Sequence, residues 1–259
     1  MIRLFSRTLD GFPLALFALL FFSCTTSLAD TDIGKIVILK PSVWVKRDGK
    51  ANELALHDGI QRSDSITTTN NGLVDMQFED GTTISLGSNT SMSMMEFIND
   101  VSNPSFFVDV SKGLLRTITG KMVKMNPDGF KVAAPMATIG IRGSTVSVRI
   151  EKGQRGRPPP IVGRHTPPSA NTTANVSITT TTTVYVEQTS QQVIVNGVDV
   201  PSGFKYIVYS GAPGSPGVPG RLEQITEQDR EALMREFASD PTLPDLEKIA
   251  YPLQPDVVK

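Results

Sequence analysis

The sequence predicts an all-β protein of many short strands that ends in one short helix. From residue 33 to residue 210, short stretches of alternating apolar and polar residues, rich in Val, Ile and Thr, follow one another between Gly, Asp, Asn and Pro. Helical periodicity is absent from the same region. The composition, with 39% hydrophobic and 20% charged residues among 259, is that of an ordinary globular protein.

The N-terminal residues 1–29 predict a secretory signal peptide. Two arginines precede an apolar run at 11–22, and Ser27 and Ala29 form the small-x-small pattern of a cleavage site. Because the run is shorter than the roughly 20 residues of a membrane-spanning helix, we expect cleavage after Ala29, no stable membrane span, and a periplasmic or secreted protein. In a second interpretation Cys24, the only cysteine, is the lipid-bearing first residue of a lipoprotein.

The strand pattern predicts a single domain over residues 33–210, built as a β-sandwich or as a solenoid-like fold. The stretch MATIGIRGST at 136–145 reads as a strand although it contains an arginine and a glycine. The other predicted strands cover residues 33–39, 42–46, 73–78, 82–86, 106–110, 130–133, 145–150, 175–180, 183–188 and 205–210.

One hairpin register follows from an Asn-Gly pair. Asn196 and Gly197 both tolerate a positive φ, which suits a two-residue turn between two strands. Such a turn places Val195 opposite Val198, so that apolar residues face each other.

A second hairpin register depends on the length of its turn. A two-residue turn at Asp80 and Gly81 would mix the two faces of the flanking strands. A three-residue turn that also includes Glu79, with Gly81 in the left-handed position, instead pairs Met76 with Ile84. We therefore predict the three-residue turn.

Three segments differ from the strand pattern. Residues 153–170 carry five prolines, which predicts a long insertion between two strands, and the Gly- and Pro-rich residues 211–220 predict a stiff linker. Within the C-terminal segment 221–259, Thr226 and Asp229 form a capping box that begins a short helix. The sequence leaves three roles open for this helix: it could dock on the sheet, form a mobile tail or face a partner. Three of its side chains could dock it: Leu233, Met234 and Phe237.

The inventory of chemical groups argues against an enzyme. The two histidines, His57 and His165, lie in loop-like segments, far from each other in sequence, and no nucleophile elbow or phosphate-binding loop is present. Asp-Gly pairs are typical of turns, and they lack the spacing of a calcium loop. We therefore expect no catalytic residues, no cofactor and no metal.

Two further groups of residues have ordinary interpretations. Five methionines, which could suggest a soft-metal tract, are typical of adaptable core filling: Met92, Met94, Met95, Met122 and Met125. The net charge of −1 and the absence of a basic stripe make nucleic acid a poor partner.

Several stretches in order resemble the FecR domain family. They are ALHDGIQRSDSITTTNNGLVDMQFEDGTTISLGSNTSMSM, VDVSKGLLRTITG, FKVAAPMATIGIRGSTVSV and GVDVPSGFKYIV, within residues 34–210. Two departures are mild, because Ala134 stands where the family often has Thr and Ser144 stands where it usually has Thr. The residues that match the family signature, which we interpret as structural, are Asp80, Gly81, Gly113, Arg116, Pro135, Ala137, Arg142, Gly143 and Ser144.

The IRGST element has a structural interpretation within this family. Gly143 would permit a bend or a close strand approach, and Arg142 would reach a backbone carbonyl or a carboxylate such as Asp75 or Asp109. In the alternative interpretation Arg142 faces outward and reads an anionic partner.

The resemblance implies an extracytoplasmic domain that senses or contacts other molecules. The best-known members are membrane-spanning anti-sigma regulators, whereas we expect this chain to lack their cytoplasmic helical domain and membrane span. The leading hypothesis is a non-enzymatic sensing and binding module of the bacterial envelope whose partner is an envelope protein or a surface polymer. The alternatives are a passive scaffold or cell-surface component and, more remotely, a polysaccharide hydrolase.

Overall fold

The computed structural model describes residues 31–100, 102–154, 178–210 and 218–237, and these form an all-β fold with a short C-terminal helix, as predicted. The strands are β1 (Gly34–Lys40), β2 (Val43–Arg47), β3 (Lys50–Glu53), β4 (Gly59–Ile60), β5 (Ser65–Thr68), β6 (Leu73–Phe78), β7 (Thr83–Leu86), β8 (Ser91–Ile98), β9 (Ser105–Ile118), β10 (Phe130–Ala134), β11 (Ala137–Gln154), β12 (Ile178–Val195), β13 (Val198–Asp199), β14 (Phe204–Tyr209) and β15 (Val218–Gln224). The helices are α1 (Met122–Met125) and α2 (Glu227–Phe237).

The strands form one open hydrogen-bonded sheet that folds over a shared core. We call its two parts the first and the second half-sheet. The first has the strand order β15-β14-β12-β11-β9-β7-β6-β1-β4. The second has the order β3-β2-β5-β8-β9-β10-β11-β12-β13. The strands β9, β11 and β12 run through both, and among the described strands only the β9–β10 pairing is parallel.

Strand β9 passes from one half-sheet to the other at Gly113. Residues 105–112 pair with β8, whereas residues 113–118 pair with β11. Gly113 has φ +90°, and a Cβ atom there would lie 2.4 Å from the Cα of Thr90. Only glycine fits this position, because it has no Cβ and accepts a positive φ without strain.

Strand β11 has its own bend at Gly143, which has φ +67°. Residues 137–140 pair with β10 and residues 145–150 with β9. The register against β12 shifts between Arg142 and Ser144, so that the strand twists where it changes neighbours. Of the two roles expected for Gly143, a bend or a close strand approach, the positive φ and the register shift favour the bend.

The inner faces of the two half-sheets share one hydrophobic core. At its centre Phe106 of β9 stacks on Phe130 of β10 with ring centroids 4.7 Å apart. Phe78 of β6, in the first half-sheet, meets Phe106 edge to face at 4.9 Å. Such contacts across the interior make the arrangement sandwich-like, the first of the two predicted alternatives.

Both predicted hairpin registers are confirmed. Met76 pairs with Ile84, and Gly81 has φ +83° in the three-residue turn. Val195 pairs with Val198, and the two residues of that turn have φ +48° and +83°. Turn chemistry is local, so these registers could be read from a few adjacent residues.

The predicted strand bounds were wrong where strands are long or irregular. Segments 106–110 and 145–150 are parts of β9 and β11. Residues 178–180 and 183–188 belong to one strand, β12, and residues 175–177 of the predicted segment 175–180 lie outside the described residues. Strands β3, β4, β5 and β8 were not predicted, and neither was α1, which is a single turn. Bulges and bends break the alternation on which the prediction depends.

The predicted border between linker and tail was also wrong, because β15 crosses it. Residues 218–224 pair with β14, so the end of the predicted linker 211–220 and the start of the predicted tail 221–259 are sheet. Residues 153–154 end β11, and the remainder of the predicted insertion 153–170 lies outside the described residues. The predicted signal peptide, with Cys24 and Ala29, also lies outside them, as does His165.

Candidate binding surface

The outer face of the second half-sheet begins at Trp44. Among the described residues its side chains are exposed or half-buried, and we call this face open in that sense. In β2, Val43 and Val45 are buried, so the residues between and after them, Trp44 and Lys46, point away from the core. Trp44 is 43% exposed, whereas tryptophan side chains are normally much more buried. This strand was predicted correctly from the sequence, but the exposed position of Trp44 was not. The alternation in VWVK was the available signal.

Hydroxyl groups line the strands next to Trp44. Ser65 and Ser93 lie opposite each other on β5 and β8, and their Oγ atoms are hydrogen-bonded at 2.8 Å. Thr67 and Ser91 form a second pair with a 3.3 Å Oγ1–Oγ distance. Thr67 is also the cross-strand neighbour of Trp44. These hydroxyl pairs were not recognised from the sequence, because their partnership depends on the pairing of β5 with β8.

A row of mostly short side chains extends this surface across six strands. Each residue of the row is the cross-strand partner of the next, from β2 to β11. At about 4.8 Å between strands, the row is about 24 Å long. Its members are Lys46, Ser65, Ser93, Asp109, Ala133 and Thr138.

The charges of this surface balance. Among the outward-facing residues of β2, β3, β8, β9 and β10, three are basic and three are acidic. A surface of this kind attracts neither polyanions nor polycations strongly. These residues are Lys46, Lys112, Lys131, Glu53, Glu96 and Asp109.

The outer face of the first half-sheet is different, because α2 covers part of it. Leu233 is buried against Leu114 and Tyr185, and Phe237 packs against the same cluster. Met234 is 71% exposed and points away. Of the three proposed docking residues, Leu233 and Phe237 therefore dock the helix and Met234 does not.

The predicted capping box begins α2. The amide of Asp229 donates to the Thr226 hydroxyl at 3.2 Å, and the amide of Thr226 donates to the Asp229 carboxylate at 2.9 Å. Lys205 of β14 donates to the same carboxylate at 2.8 Å. Burial alone would raise the pKa of Asp229, but the hydrogen bonds from Lys205 and Thr226 outweigh it and hold the pKa below its ordinary value.

A second ion pair fixes the other end of α2. Arg149 of β11 donates to Glu236 at 2.7 Å, and the Arg149 side chain is mostly buried. Together with the apolar contacts of Leu233, these ion pairs orient the helix on the sheet at both of its ends.

Beside α2, a polar row crosses the same face and includes Arg116. Arg116 donates to Glu187 at 3.0 Å, and its Nε lies buried without a hydrogen-bond partner among the described residues. Ser147 donates to the other oxygen of Glu187 at 2.6 Å. Burial raises the pKa of Asp75, although the Ser85 hydroxyl and the charge of Arg116 lower it.

The signature residues Asp80 and Gly81 lie in a turn that is hydrogen-bonded to the loop containing Gly120 and Lys121. The Asp80 carboxylate is buried and accepts hydrogen bonds from the amide and the hydroxyl of Thr82, at 3.0 and 2.7 Å. The amide of Lys121 donates to the Asp80 carbonyl, and that of Gly120 donates to the Thr82 hydroxyl. Both carboxylate oxygens are occupied within the turn.

Ser144 ties the bend of β11 to the same loop. Its amide donates to the Thr119 hydroxyl at 2.9 Å, and its own hydroxyl donates to Thr189 at 2.6 Å. Pro135 lies in the turn between β10 and β11, and Ala137 begins β11 and is buried. The signature residues are thus distributed through the fold and do not converge on one site.

Arg142 has a partner that the sequence analysis did not name. Its guanidinium donates to the carboxylate of Asp128 and, at 2.8 Å, to the side chain of Gln192. The expected partners Asp75 and Asp109 were wrong, because strand pairing places them elsewhere in the sheet. Asp128 is 72% exposed, so this ion pair lies at the surface.

Two other predicted groups have simple positions. His57 is exposed in the loop before β4. Met92, Met94 and Met122 are buried as predicted, whereas Met95 and Met125 are exposed and do not fill the core. In residues 31–100, 102–154, 178–210 and 218–237, no three His, Cys, Asp or Glu side chains are placed to hold a metal ion. Within those ranges no helix has the length and apolarity needed to cross a membrane.

These observations define an all-β module with one outer face partly covered by its own helix and the other open as far as the described residues extend. Residues 64–156 match the family described as FecR protein, which confirms over these residues the resemblance that the motifs predict. The match covers β5 to β11, the part of the chain that contains the bends at Gly113 and Gly143. No curated protein matches the chain significantly.

Two crystal structures of a candidate anti-sigma factor from Parabacteroides distasonis ATCC 8503, at 1.65 and 2.50 Å resolution, are similar to this chain. Both are 14% identical to it, with TM-scores of 0.42 and 0.41, and the alignments cover 66% of this chain. The chain spans 64% and 63% of their lengths. A likeness at this level carries no argument about function.

Proposed function

We propose that the protein is an exported, non-enzymatic sensing and binding module of the bacterial envelope. Its partner is an envelope protein or a surface polymer, held on the outer face of the second half-sheet. The observation that carries this proposal is the open surface around Trp44, with its two hydroxyl pairs. An exposed tryptophan beside short polar side chains is typical of recognition surfaces.

The FecR match supports the sensing role. It includes β5, β8, β9 and β10, which supply the central strands of this surface. These strands are paired on both sides, so the surface is held rigidly by the sheet and its side chains are presented without a large ordering cost on binding.

The alternative, a passive scaffold attached through its C-terminal segment, has less support from the fold. The apolar side of α2 is already used within the domain, where Leu233 and Phe237 pack against Leu114 and Tyr185. A helix that attached the chain to another body would need an apolar face free for that contact.

The binding role is tested by placing a bulky charge on each outer face in turn. Ser93→Arg interrupts the open surface of the second half-sheet, and Thr83→Arg is the matched control on the first half-sheet. We expect the first variant to lose its retention in the envelope fraction and the second to keep it, with both folded by circular dichroism. Equal retention of both variants contradicts the proposed surface.

The export part of the proposal needs a separate measurement. We expect to find the native protein in the periplasm or the medium. Its intact mass should correspond to a chain that begins at Asp30. A lipid-modified chain that begins at Cys24 would replace the free module with an anchored one.

A further inference from the structure

We propose that the open face of the second half-sheet binds an extended, neutral polysaccharide chain, with Trp44 as its stacking platform. This inference rests on the proposed binding function and names the chemical class of the partner. Four properties of the surface support it: its hydrogen-bonding groups, its charge, its shape and the position of its aromatic ring.

The hydroxyl pairs suit a ligand that both donates and accepts. In the pair Ser65–Ser93 one hydroxyl donates to the other, which leaves one O–H donor and several acceptor lone pairs for a ligand. The pair Thr67–Ser91 offers the same combination. Sugar hydroxyls also donate and accept, whereas a phosphate or carboxylate ligand would require donors or cations alone.

The balance of charge favours a neutral ligand. Three basic and three acidic side chains lie on the surface, and Asp109 lies in the row next to Ser93. An acidic polymer that covered the row would contact Asp109 without an excess of cations to compensate. A neutral chain needs no excess of either charge on the surface.

The shape favours an extended chain over a folded partner. The row from Lys46 to Thr138 is built mainly of Ser, Ala and Thr side chains and is about 24 Å long. The other exposed apolar side chains of this face, Met95 and Ile98, lie about 13 Å and about 23 Å along β8 from the level of Trp44. They do not form with Trp44 the contiguous apolar centre that is typical of a protein interface.

Trp44 completes the surface as a flat ring beside Thr67. A sugar ring has an apolar C–H face and polar edges, so it can lie on the indole while its hydroxyls reach the hydroxyl pairs of β5 and β8. A tryptophan with one apolar face and a polar N–H suits this combination.

The experiment uses the fact that Trp44 is the only tryptophan of the chain. Cellohexaose and hexa-N-acetylchitohexaose, two neutral β-linked hexasaccharides, are titrated into the purified protein while its fluorescence and its quenching by acrylamide are followed. We expect one of them to change the emission of Trp44 and to protect it from the quencher. An acidic oligogalacturonate should not do so.

Variants locate the site, with affinities measured by calorimetry. Trp44→Ala should weaken binding about tenfold or more, and the double variant Ser65→Ala with Ser93→Ala about fivefold to tenfold. Met234→Ala removes an apolar side chain from α2 that is more exposed than Trp44, at 71% against 43%, and should leave the affinity unchanged.

Two results would overturn the inference. One is the absence of any Trp44 response to either neutral hexasaccharide up to about 10 mM, above the Kd of a weak millimolar complex. The other is equal binding of oligogalacturonate. If Ser93→Arg nevertheless loses envelope retention, the surface binds a partner of another class and only the polysaccharide is refuted. If Ser93→Arg and Thr83→Arg are retained equally, the binding function itself fails.

Discussion

Replacing Gly113 by alanine tests whether the fold depends on the bend of β9. Two costs add at this position. The positive φ of +90° strains any residue with a Cβ by about 1–2 kcal/mol. The new methyl group would also lie 2.4 Å from both Cα and Oγ1 of Thr90, and such overpacking costs about 1–3 kcal/mol. We therefore expect Gly113→Ala to lower the free energy of unfolding by about 2–5 kcal/mol.

Thr90 cannot easily move away from the new side chain. Its Oγ1 accepts a hydrogen bond from the amide of Leu114 at 2.9 Å and donates to the carbonyl of the same residue at 3.1 Å. Relief of the clash would break these buried hydrogen bonds, at about 1 kcal/mol or more for each. We therefore expect the full steric cost to appear in the free energy of unfolding of Gly113→Ala.

Two other glycines separate the cost of backbone strain from the cost of the steric clash. Gly81 has φ +83° with no atom within 4 Å of an added Cβ, so Gly81→Ala should cost only the backbone strain of about 1–2 kcal/mol. Gly140 has open space and an ordinary φ, so Gly140→Ala should leave stability unchanged or raise it by up to about 1 kcal/mol. Urea unfolding, followed by circular dichroism and the fluorescence of Trp44, measures all three. A cost for Gly113→Ala no larger than that of Gly81→Ala would refute the reasoning.

Three further predictions concern the helix and the surface ion pairs. Leu233→Ala should lower the free energy of unfolding by about 2–3 kcal/mol, whereas Met234→Ala should change it by less than about 0.5 kcal/mol, both measured in urea. Because the folded-state pKa of Asp229 is lowered, its ion pair with Lys205 stabilises the protein above the ordinary Asp pKa, and this is lost as the pH falls through the lowered value. The stability difference between wild type and Asp229→Asn should therefore shrink between about pH 5 and pH 3, and a constant difference would contradict the assignment. Arg142→Ala should cost less than about 1 kcal/mol in the same urea assay, since the carboxylate it meets is exposed, and a larger loss would show a buried role.

The sequence predicted the features that depend on neighbouring residues. The all-β class follows from alternation, and the registers around Gly81 and Gly197 follow from turn residues that allow a positive φ. The capping box of Thr226 and Asp229 is equally local. Each of these features is decided within a few residues, so a pattern in the chain is sufficient evidence for it.

The tertiary structure decided everything that depends on which strands are neighbours. Asp75 was a proposed partner of Arg142, but strand pairing places it near Arg116, and Arg142 meets Asp128 instead. The bends of β9 and β11 interrupt the alternation, so the long strands were predicted as fragments. Whether α2 docks was open until the cluster around Leu233 was seen.

In the open surface too, some features depend on neighbouring residues and others on strand pairing. The alternation in β2 determined by itself that Trp44 faces away from the core. The partnership of Ser65 with Ser93 joins residues 28 positions apart, and it exists only because β5 pairs with β8 in one particular register. A shift of one residue would turn these hydroxyls into the core, and the burial of the inner side chains throughout the fold is what sets that register.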